Sequence, residues 1–539
     1  RDRDQGERPP VTVTEPSNAA QSTGSAAVLT RPVAAGVGVL SVWAALGVGH
    51  LVAGVISPAS SPYLAVGDQV IRLSPEPLTE FAKTQLGSGD KPVLLLGMLV
   101  VITLVAAAAG LASRARPDWG VRVVMAMGLL GAAAVVFGSV FTLLDLIAPI
   151  VSTVVGVVVF RWLHHLGLLD RTPGAEPGGV SRRTVLVGGS AAVGLGALAS
   201  AAGGTLLARG IQSSRDDVTA QLAAANYVER APAPPATAAF PQFGTPTFLT
   251  DNADFYRIDT ALRIPTLSAT DWQLKIHGMV DNEVTLSFAD LVKRPLVERA
   301  ITLTCVSNPI GGNLISTANF IGVPLRDILL EAGVKPGADE LYSTSADGWY
   351  TGTPTSVVMD PARGALLAIG MNGEALPPEH GFPVRMVVPG LYGYVSGTKW
   401  LVDIEATTFA NPEKQGYWLE RGWSERGPIK TMSRIDNPQG FATVTADSVT
   451  VAGVAWAQHT GIAKVEVRAD GGPWQAATLS DEVSVDAWRM WHAELALPSG
   501  SHHVEVRATD KSGYMQTDER ADPIPDGASG WPSVQFSVA

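Results

Sequence analysis

Five apolar stretches crowd the first 210 of 539 residues, at about 33–56, 92–113, 119–138, 144–163 and 184–207. Each is near the ~20 residues that a helix needs to cross a bilayer. They are rich in Gly and Ala, which suits close helix packing in lipid. Charged residues make up only 17% of the chain, low for a soluble protein, and the apolar excess that causes this is confined to these stretches. The sequence therefore predicts a five-helix transmembrane bundle over 31–210, preceded by a polar, disordered tail over 1–30. The length allows about three or four domains. A formal charge of −11 with no basic stripe gives nucleic-acid binding no support. The chain opens at Arg1 rather than methionine, so its natural N-terminus is expected to lie upstream or to have been processed.

The basic residues orient the bundle. Arg1, Arg3, Arg8 and Arg31 precede the first span. Arg114, Arg116 and Arg122 lie between the second and third, and Arg161, Arg171, Arg182 and Arg183 between the fourth and fifth. The positive-inside bias places these regions in the cytoplasm. The mixed-charge loop 57–91, with a short interfacial helix expected over Glu76–Leu86, and everything after 210 then fall outside. The fifth span opens Ser181-Arg182-Arg183-Thr184 before a weakly apolar Gly/Ala run. That pattern resembles a twin-arginine export signal, which would carry a folded, cofactor-loaded domain; two arginines anchoring a helix at the membrane face is the alternative. His50, His164 and His165 are membrane-level imidazoles that could ligate haem if they faced each other, but helix capping or bundle-interior roles are the expectation and haem is not.

The second half is globular. Residues 211–245 read as an exit helix and a Pro-rich semi-rigid linker. Over 246–430, strands are expected at Trp272–Gly278, Ala300–Cys305, Glu340–Thr344, Val384–Val388 and Trp400–Ala406. Short helices are expected at Ser287–Lys293 and Val323–Ala332, making an α+β domain. Over 431–539, short alternating strands separated by turn residues argue an immunoglobulin-like β-sandwich, a packing or dimerisation module.

Cys305 is the only cysteine. It ends an apolar run, Ile301-Thr-Leu-Thr-Cys305, and opens a turn, Val-Ser-Asn308-Pro-Ile-Gly311-Gly312. A lone cysteine can pair between chains, sit inert in a core, attack a substrate or bind a metal as thiolate. A second polar concentration is Glu379-His380-Gly-Phe-Pro-Val-Arg385 through Ser396-Gly397-Thr398-Lys399-Trp400. Its glycines let backbone approach an anion, and its Arg and Lys neutralise one; a hairpin with surface cations is the plain alternative.

The run Thr304-Cys305-Val-Ser-Asn308, then Gly322-Val-Pro-Leu-Arg326-Asp327, then His380-Gly-Phe-Pro-Val-Arg385-Met-Val-Val-Pro-Gly, then Lys399-Trp400, resembles the sulfite oxidase family of molybdopterin oxidoreductases, in its bacterial membrane-anchored form. The resemblance covers roughly 245–430, and 440–539 resembles that family's C-terminal dimerisation domain. It implies molybdenum held by a pterin dithiolene and by the thiolate of Cys305. It implies cofactor contacts from Tyr256, Asn308, Ser345, His380, Arg385, Ser396, Thr398 and Lys399. Two features depart from the family. Pro309 and Ile310 stand where sulfite oxidases carry basic residues, and Ile369 falls near the place of their active-site tyrosine. Arg257 and Arg263, on another loop, are candidates to supply the missing charge at the catalytic site, with surface or helix-end roles as the alternative. Tyr417, Arg421, Trp423 and Arg426 join the two exported domains and either line a substrate mouth or pack the domains together.

The expected protein is a multi-pass bacterial cell-membrane oxidoreductase with an extracytoplasmic molybdenum site. It would transfer oxygen on a small substrate other than sulfite and exchange electrons with a separate cytochrome or quinone, with a homodimer as one arrangement open to it. An S- or N-oxide reductase, or a non-catalytic membrane-tethered binding protein, are the alternatives.

Overall fold

A computed structural model describes residues 28–56, 60–75, 78, 90–138, 142–169, 212–261, 264–445 and 448–539. Four helices in the first part are long and apolar enough to cross a membrane: α1 (Arg31–Ile56), α3 (Asp90–Ala112), α4 (Asp118–Val136) and α5 (Ile147–Leu169), with the short α2 (Pro62–Leu73) between the first two. The fifth predicted span, its paired arginines, and nearly all of the predicted interfacial helix lie outside the described residues. Among the described residues of that loop, helix α2 starts at Pro62, a residue suited to a first turn. Leu29, assigned to the tail by composition, is buried, and its N–H donates to the Arg114 carbonyl.

Two glycines explain how tightly α1 and α3 cross. A Cβ on Gly38 would overlap the Ala106 carbonyl oxygen, and one on Gly110 would overlap the Ala34 carbonyl oxygen. The contact is reciprocal, so the two backbones touch where side chains would hold them apart. Across α1 and α5, Ser152 Oγ donates to the Ala45 carbonyl at 2.8 Å. His50 hydrogen-bonds Ser61 and His164 meets the Ser113 carbonyl. Gly49 lies against Ser152 while Gly167 lies against Leu29, so these histidines sit at opposite ends of the antiparallel pair and do not face each other.

The second part begins earlier than composition suggests. A helix over 212–224 (α6) buries Val218 and Leu222 in the main core. The stretch read as a linker is also packed: Ala238 is buried beside Met432 and Trp456, and Thr237 Oγ1 donates to Asp481 at 2.6 Å. The strands are β1 (Tyr227–Glu229), β2 (Gln273–Gly278), β3 (Val284–Ser287), β4 (Leu296–Thr304), β5 (Ile315–Pro324), β6 (Glu340–Ser345), β7 (Tyr350–Pro354), β8 (Leu366–Met371), β9 (Glu374–Ala375), β10 (Arg385–Val387) and β11 (Leu401–Thr407). One sheet runs β1-β4-β5-β8-β10 with β9 on β8; the other runs β3-β2-β11-β6-β7. Helix α7 (Phe288–Val292) opens with a reciprocal capping box between Ser287 and Asp290. Helix α8 is Leu325–Ala332, shorter than predicted because Val323 and Pro324 still belong to β5. It stops at Gly333, whose φ of 69° is left-handed and whose N–H closes on Leu329.

From Met432 two further sheets face each other across Val451, Val465, Trp491, Val506 and Phe536. One is β12 (Met432–Asn437), β14 (Val449–Trp456), β18 (Arg489–Leu495) and β17 (Thr478–Leu479). The other is β13 (Thr443–Val444), β20 (Ser533–Val538), β19 (Gly500–Asp510), β15 (Ile462–Ala469) and β16 (Gln475–Ala476). This unit backs directly onto β4. The Trp488 N–H donates to Thr302 Oγ1, the Trp488 indole N–H to the Phe248 carbonyl, and Gln458 Nε2 to Thr304 Oγ1 at 2.9 Å.

Replacing Gly38 by Val should overpack the α1–α3 crossing and cost about 1–3 kcal/mol. The expected readout is a melting temperature lowered by several degrees in detergent. Gly36→Val, where an added Cβ meets nothing within 4 Å, should change it far less.

Candidate active site

Strand β4 carries its apolar residues into the core and stops at Thr304, so Cys305 is delivered at a strand end. The turn that follows is pinned at three points. The Cys305 N–H donates to the Leu314 carbonyl, the Asn308 N–H to the Cys305 carbonyl, and the Leu314 N–H to Asn308 Oδ1 at 2.9 Å. Asn308 thus spends its side-chain oxygen on the turn. Gly312 packs so close to Asn308 and Pro309 that a Cβ there would clash. Cys305 itself is buried, 8% exposed, and is not in a disulfide.

A cleft beside this strand end is lined by Tyr256, Thr304, Arg385, Val388, Leu391 and Ser396. Arg385 opens β10, and its Nη1 donates to the His380 carbonyl at 3.2 Å. Its guanidinium lies 5.8 Å over the Phe320 ring. The side chain is buried, its Nε has no hydrogen-bond partner among the described residues, and no described carboxylate pairs with it. Burial, opposed only by the Tyr256 hydroxyl, pushes its pKa down to about 10. An unpaired buried cation costs several kcal/mol, so this site is built for an anion.

His380 ends a single helical turn and bonds the Asn252 carbonyl at 3.2 Å through Nε2. Burial, with Arg385 and Lys399 close by, pushes its pKa down to about 3. Tyr256 stacks on Phe255 and donates its N–H to Ser316 Oγ; burial and the neighbouring Cys305 drive its phenol well above the ordinary value. Ser396 closes a short turn, its hydroxyl donating to the Tyr392 carbonyl at 3.0 Å. Thr398 shares a 2.7 Å hydrogen bond with Ser343, fully buried. Ser345 is buried at the end of β6, accepting a long hydrogen bond from the Asp347 N–H.

Lys399 and Arg257 meet on a residue that sequence reasoning passed over. Asp259 receives Lys399 Nζ at 3.0 Å and Arg257 Nε at 2.8 Å on Oδ2, and Lys91 Nζ at 2.8 Å on Oδ1. Burial would raise the Asp259 pKa, but Lys399, Arg257 and Lys91 outweigh it and hold the carboxyl well below the usual carboxylate range. Lys399 also donates to the Glu379 carbonyl, and burial, countered by Asp259, pulls its pKa down to about 8. Arg257 is therefore committed to a carboxylate rather than to the cleft. The one sequence signal for this hub was the spacing Arg257-Ile-Asp259. Arg263 lies outside the described residues. Trp423, offered as part of a mouth, is instead buried, stacked on Trp418 at 4.3 Å and edge-on to Tyr394. Tyr417 sits under the Arg421 guanidinium at 3.7 Å, whereas the Arg426 side chain is exposed.

A single thiol at a strand end, a neutral imidazole, a buried guanidinium and a buried ammonium form a donor set for a soft metal carried by an anionic organic group. Among known families, the profile described as "Oxidoreductase molybdopterin binding domain" matches residues 261–418, so the enzyme class is molybdopterin oxidoreductase. Within it, the chain belongs to the sulfite oxidase family. The mitochondrial sulfite oxidase of Macaca fascicularis is 30% identical over 332 residues, covering 53% of this chain and 60% of that protein. The uncharacterized oxidoreductase YuiH of Bacillus subtilis is 37% identical over 158 residues, 29% of this chain and 75% of the relative. The crystal structure of the sulfane dehydrogenase SoxCD from Paracoccus pantotrophus aligns with a TM-score of 0.47 at 22% identity, covering 58% of this chain and 90% of that one.

The His380 pKa sets a pH dependence. Between about 3 and its ordinary 6.5, the unfolded chain holds a proton on this imidazole that the folded chain does not. Stability is therefore full above the upper value and falls as pH drops through the window. In cofactor-free protein, His380→Gln should flatten that acid-side loss, so its melting temperature falls less than wild type between about pH 7 and about pH 4.5.

Proposed function

We propose that this chain is a membrane-anchored molybdenum–molybdopterin oxidoreductase acting on a small substrate other than sulfite, with Cys305 as the one protein ligand to the metal. The observation that carries this reading is a cleft lined by Thr304, the last residue before the sole thiol, and by Arg385, whose buried Nε meets no described partner. When bound, the molybdenum centre supplies two-electron oxygen-atom transfer. The protein's own part is to hold and screen. Arg385 and Lys399 neutralise pterin and phosphate charge, while His380 stays uncharged and orients the group by hydrogen bonding. Ser396 and Thr398 bring a Gly-rich turn near the phosphate, with Ser345 beside it, and Tyr256 walls the cleft toward Cys305. Asn308 acts at one remove by fixing the turn that aims the thiol.

The cleft's surroundings argue against a dianionic substrate. Ile310 faces the C-terminal unit, touching the space beside Gly530, and Ile369 is fully buried in β8. Arg257 is neutralised by Asp259. Charge on an oxyanion would lack a dedicated pair of cations there, whereas Leu303, Val388 and Leu391 give the cleft an apolar wall suited to a neutral group. That wall favours reduction of an S- or N-oxide as the second reading.

The finer architecture belongs to the same proposal: a fifth membrane helix with a twin-arginine character, a catalytic domain on the extracytoplasmic face, and an immunoglobulin-like C-terminal domain that serves packing or dimerisation. Support for the sidedness comes from Arg72 and Lys91, which lie on the 60–91 connection and both touch the catalytic unit. Electrons would pass to or from a separate cytochrome or quinone.

Cys305→Ser is expected to abolish turnover and strip molybdenum while leaving the far-ultraviolet circular dichroism of the fold intact. Activity with artificial electron carriers should appear with a sulfoxide and be absent with sulfite. Full activity in Cys305→Ser, or molybdenum well below one atom per chain in carefully prepared wild type, would sink the proposal.

A further inference from the structure

Lys91 is the second residue of α3, a membrane-length helix. Its ammonium reaches the carboxylate that also holds Lys399, the cation assigned above to the cofactor phosphate, and makes a second, longer contact at 3.3 Å to the Asp259 backbone carbonyl. The Asp259 side chain is only 4% exposed. Lys399 on one oxygen, Lys91 on the other and Arg257 across both put three cations on one buried carboxylate. Two more carboxylates act on this cluster, Asp347 on Lys399 and Glu379 on Arg257, whereas Arg385, which also acts on Lys399, pairs with none among the described residues. That unpaired cation calls for an anion, and a pterin phosphate in reach of Lys399 would supply it.

We propose that Lys91 is a positioning residue of the cofactor pocket: acting through Asp259, it fixes Lys399 against the cofactor's phosphate, so that a membrane-spanning helix forms part of the cofactor-binding site. The inference rests on the molybdopterin reading above. Two physical effects support it. With Lys91 in place, Asp259 is divided among three cations and holds Lys399 less exclusively, leaving its ammonium free to turn donors toward an anion. Without it, Asp259 carries less compensated negative charge close to where the phosphate binds, and the repulsion weakens the cofactor's hold. The helix does not merely tether the catalytic unit. Arg72, at the end of α2, makes a different contact between the two parts, donating to the Asp347 carbonyl at 3.4 Å.

The test uses the full chain in detergent and reads pterin and molybdenum per polypeptide before and after dialysis at rising salt. Lys91→Met should retain cofactor on the order of tenfold less well, with release at lower ionic strength, and Lys91→Arg should restore retention. In an Asp259→Asn background, Lys91→Met should cause no further loss. Arg72→Met should hold cofactor like wild type. Retention equal to wild type in Lys91→Met overturns the inference, as does an undiminished Lys91→Met effect in Asp259→Asn, or an equal loss in Arg72→Met. If Lys91→Met does not fold, Lys91→Gln, which keeps a hydrogen-bond donor without charge, carries the same expectations. Wild type without pterin would bring down the molybdopterin reading itself, whereas wild type that holds pterin as firmly as its Lys91 variants would bring down this inference alone.

Discussion

Arg385 is a guanidinium buried in a protein interior without a carboxylate among the described residues to meet it. Most buried cations are paired, because desolvation costs more than the surrounding dipoles return. Here one carbonyl and the face of Phe320 are the only described compensation. Several features of the catalytic unit follow from that imbalance. His380 is kept neutral beside it, the Tyr256 phenol is kept protonated, and Lys399 is given a share in the Asp259 carboxylate so that two positive groups can coexist in one pocket. The arrangement is stable enough to fold but is completed only by a negative guest.

Much of this was legible in the sequence where the relevant residues are close together. Membrane-length helices announce themselves through composition alone. The capping box at Ser287 and Asp290, the strand leading to Cys305 and the His380–Arg385 spacing are all local. What escaped was of two kinds. Strand β8 is buried at all six positions, so it shows no alternation, and a short apolar run of that sort cannot be told from helix by period. Strand β5 buries Ser316 and Thr317 and carries a half-buried Asn319, and the Thr302 and Thr317 hydroxyls pair across to β4, so it reads as loop. The hub at Asp259 escaped for another reason. Its partners lie 140 and 168 residues away in the chain, and no pattern within a window reports a contact of that range.

Membership in the sulfite oxidase family and the departures from it sit on different parts of the architecture. In the proposed reading the cofactor side is built from β10, the turns flanking it and the end of β4. The substrate side falls to loops, where Ile310 turns toward the C-terminal unit and Arg257 turns toward Asp259. A scaffold that separates these two jobs can change what it oxidises or reduces while leaving the metal's surroundings alone.

The backing of β4 by the C-terminal unit bears on how the protein is made. Thr302 takes the Trp488 N–H, and Gln458 reaches both the Thr302 carbonyl and Thr304. Trp488 and Gln458 flank strands of the sheet β12-β14-β18-β17, which packs against the sheet that contains β20 (Ser533–Val538). A ribosome that has just released residue 430 has therefore produced every side chain proposed to contact the cofactor but not the wall that backs the thiol strand. Long-range contacts of this kind form late, so the reactive centre reaches its working geometry only after about a hundred further residues have emerged and folded.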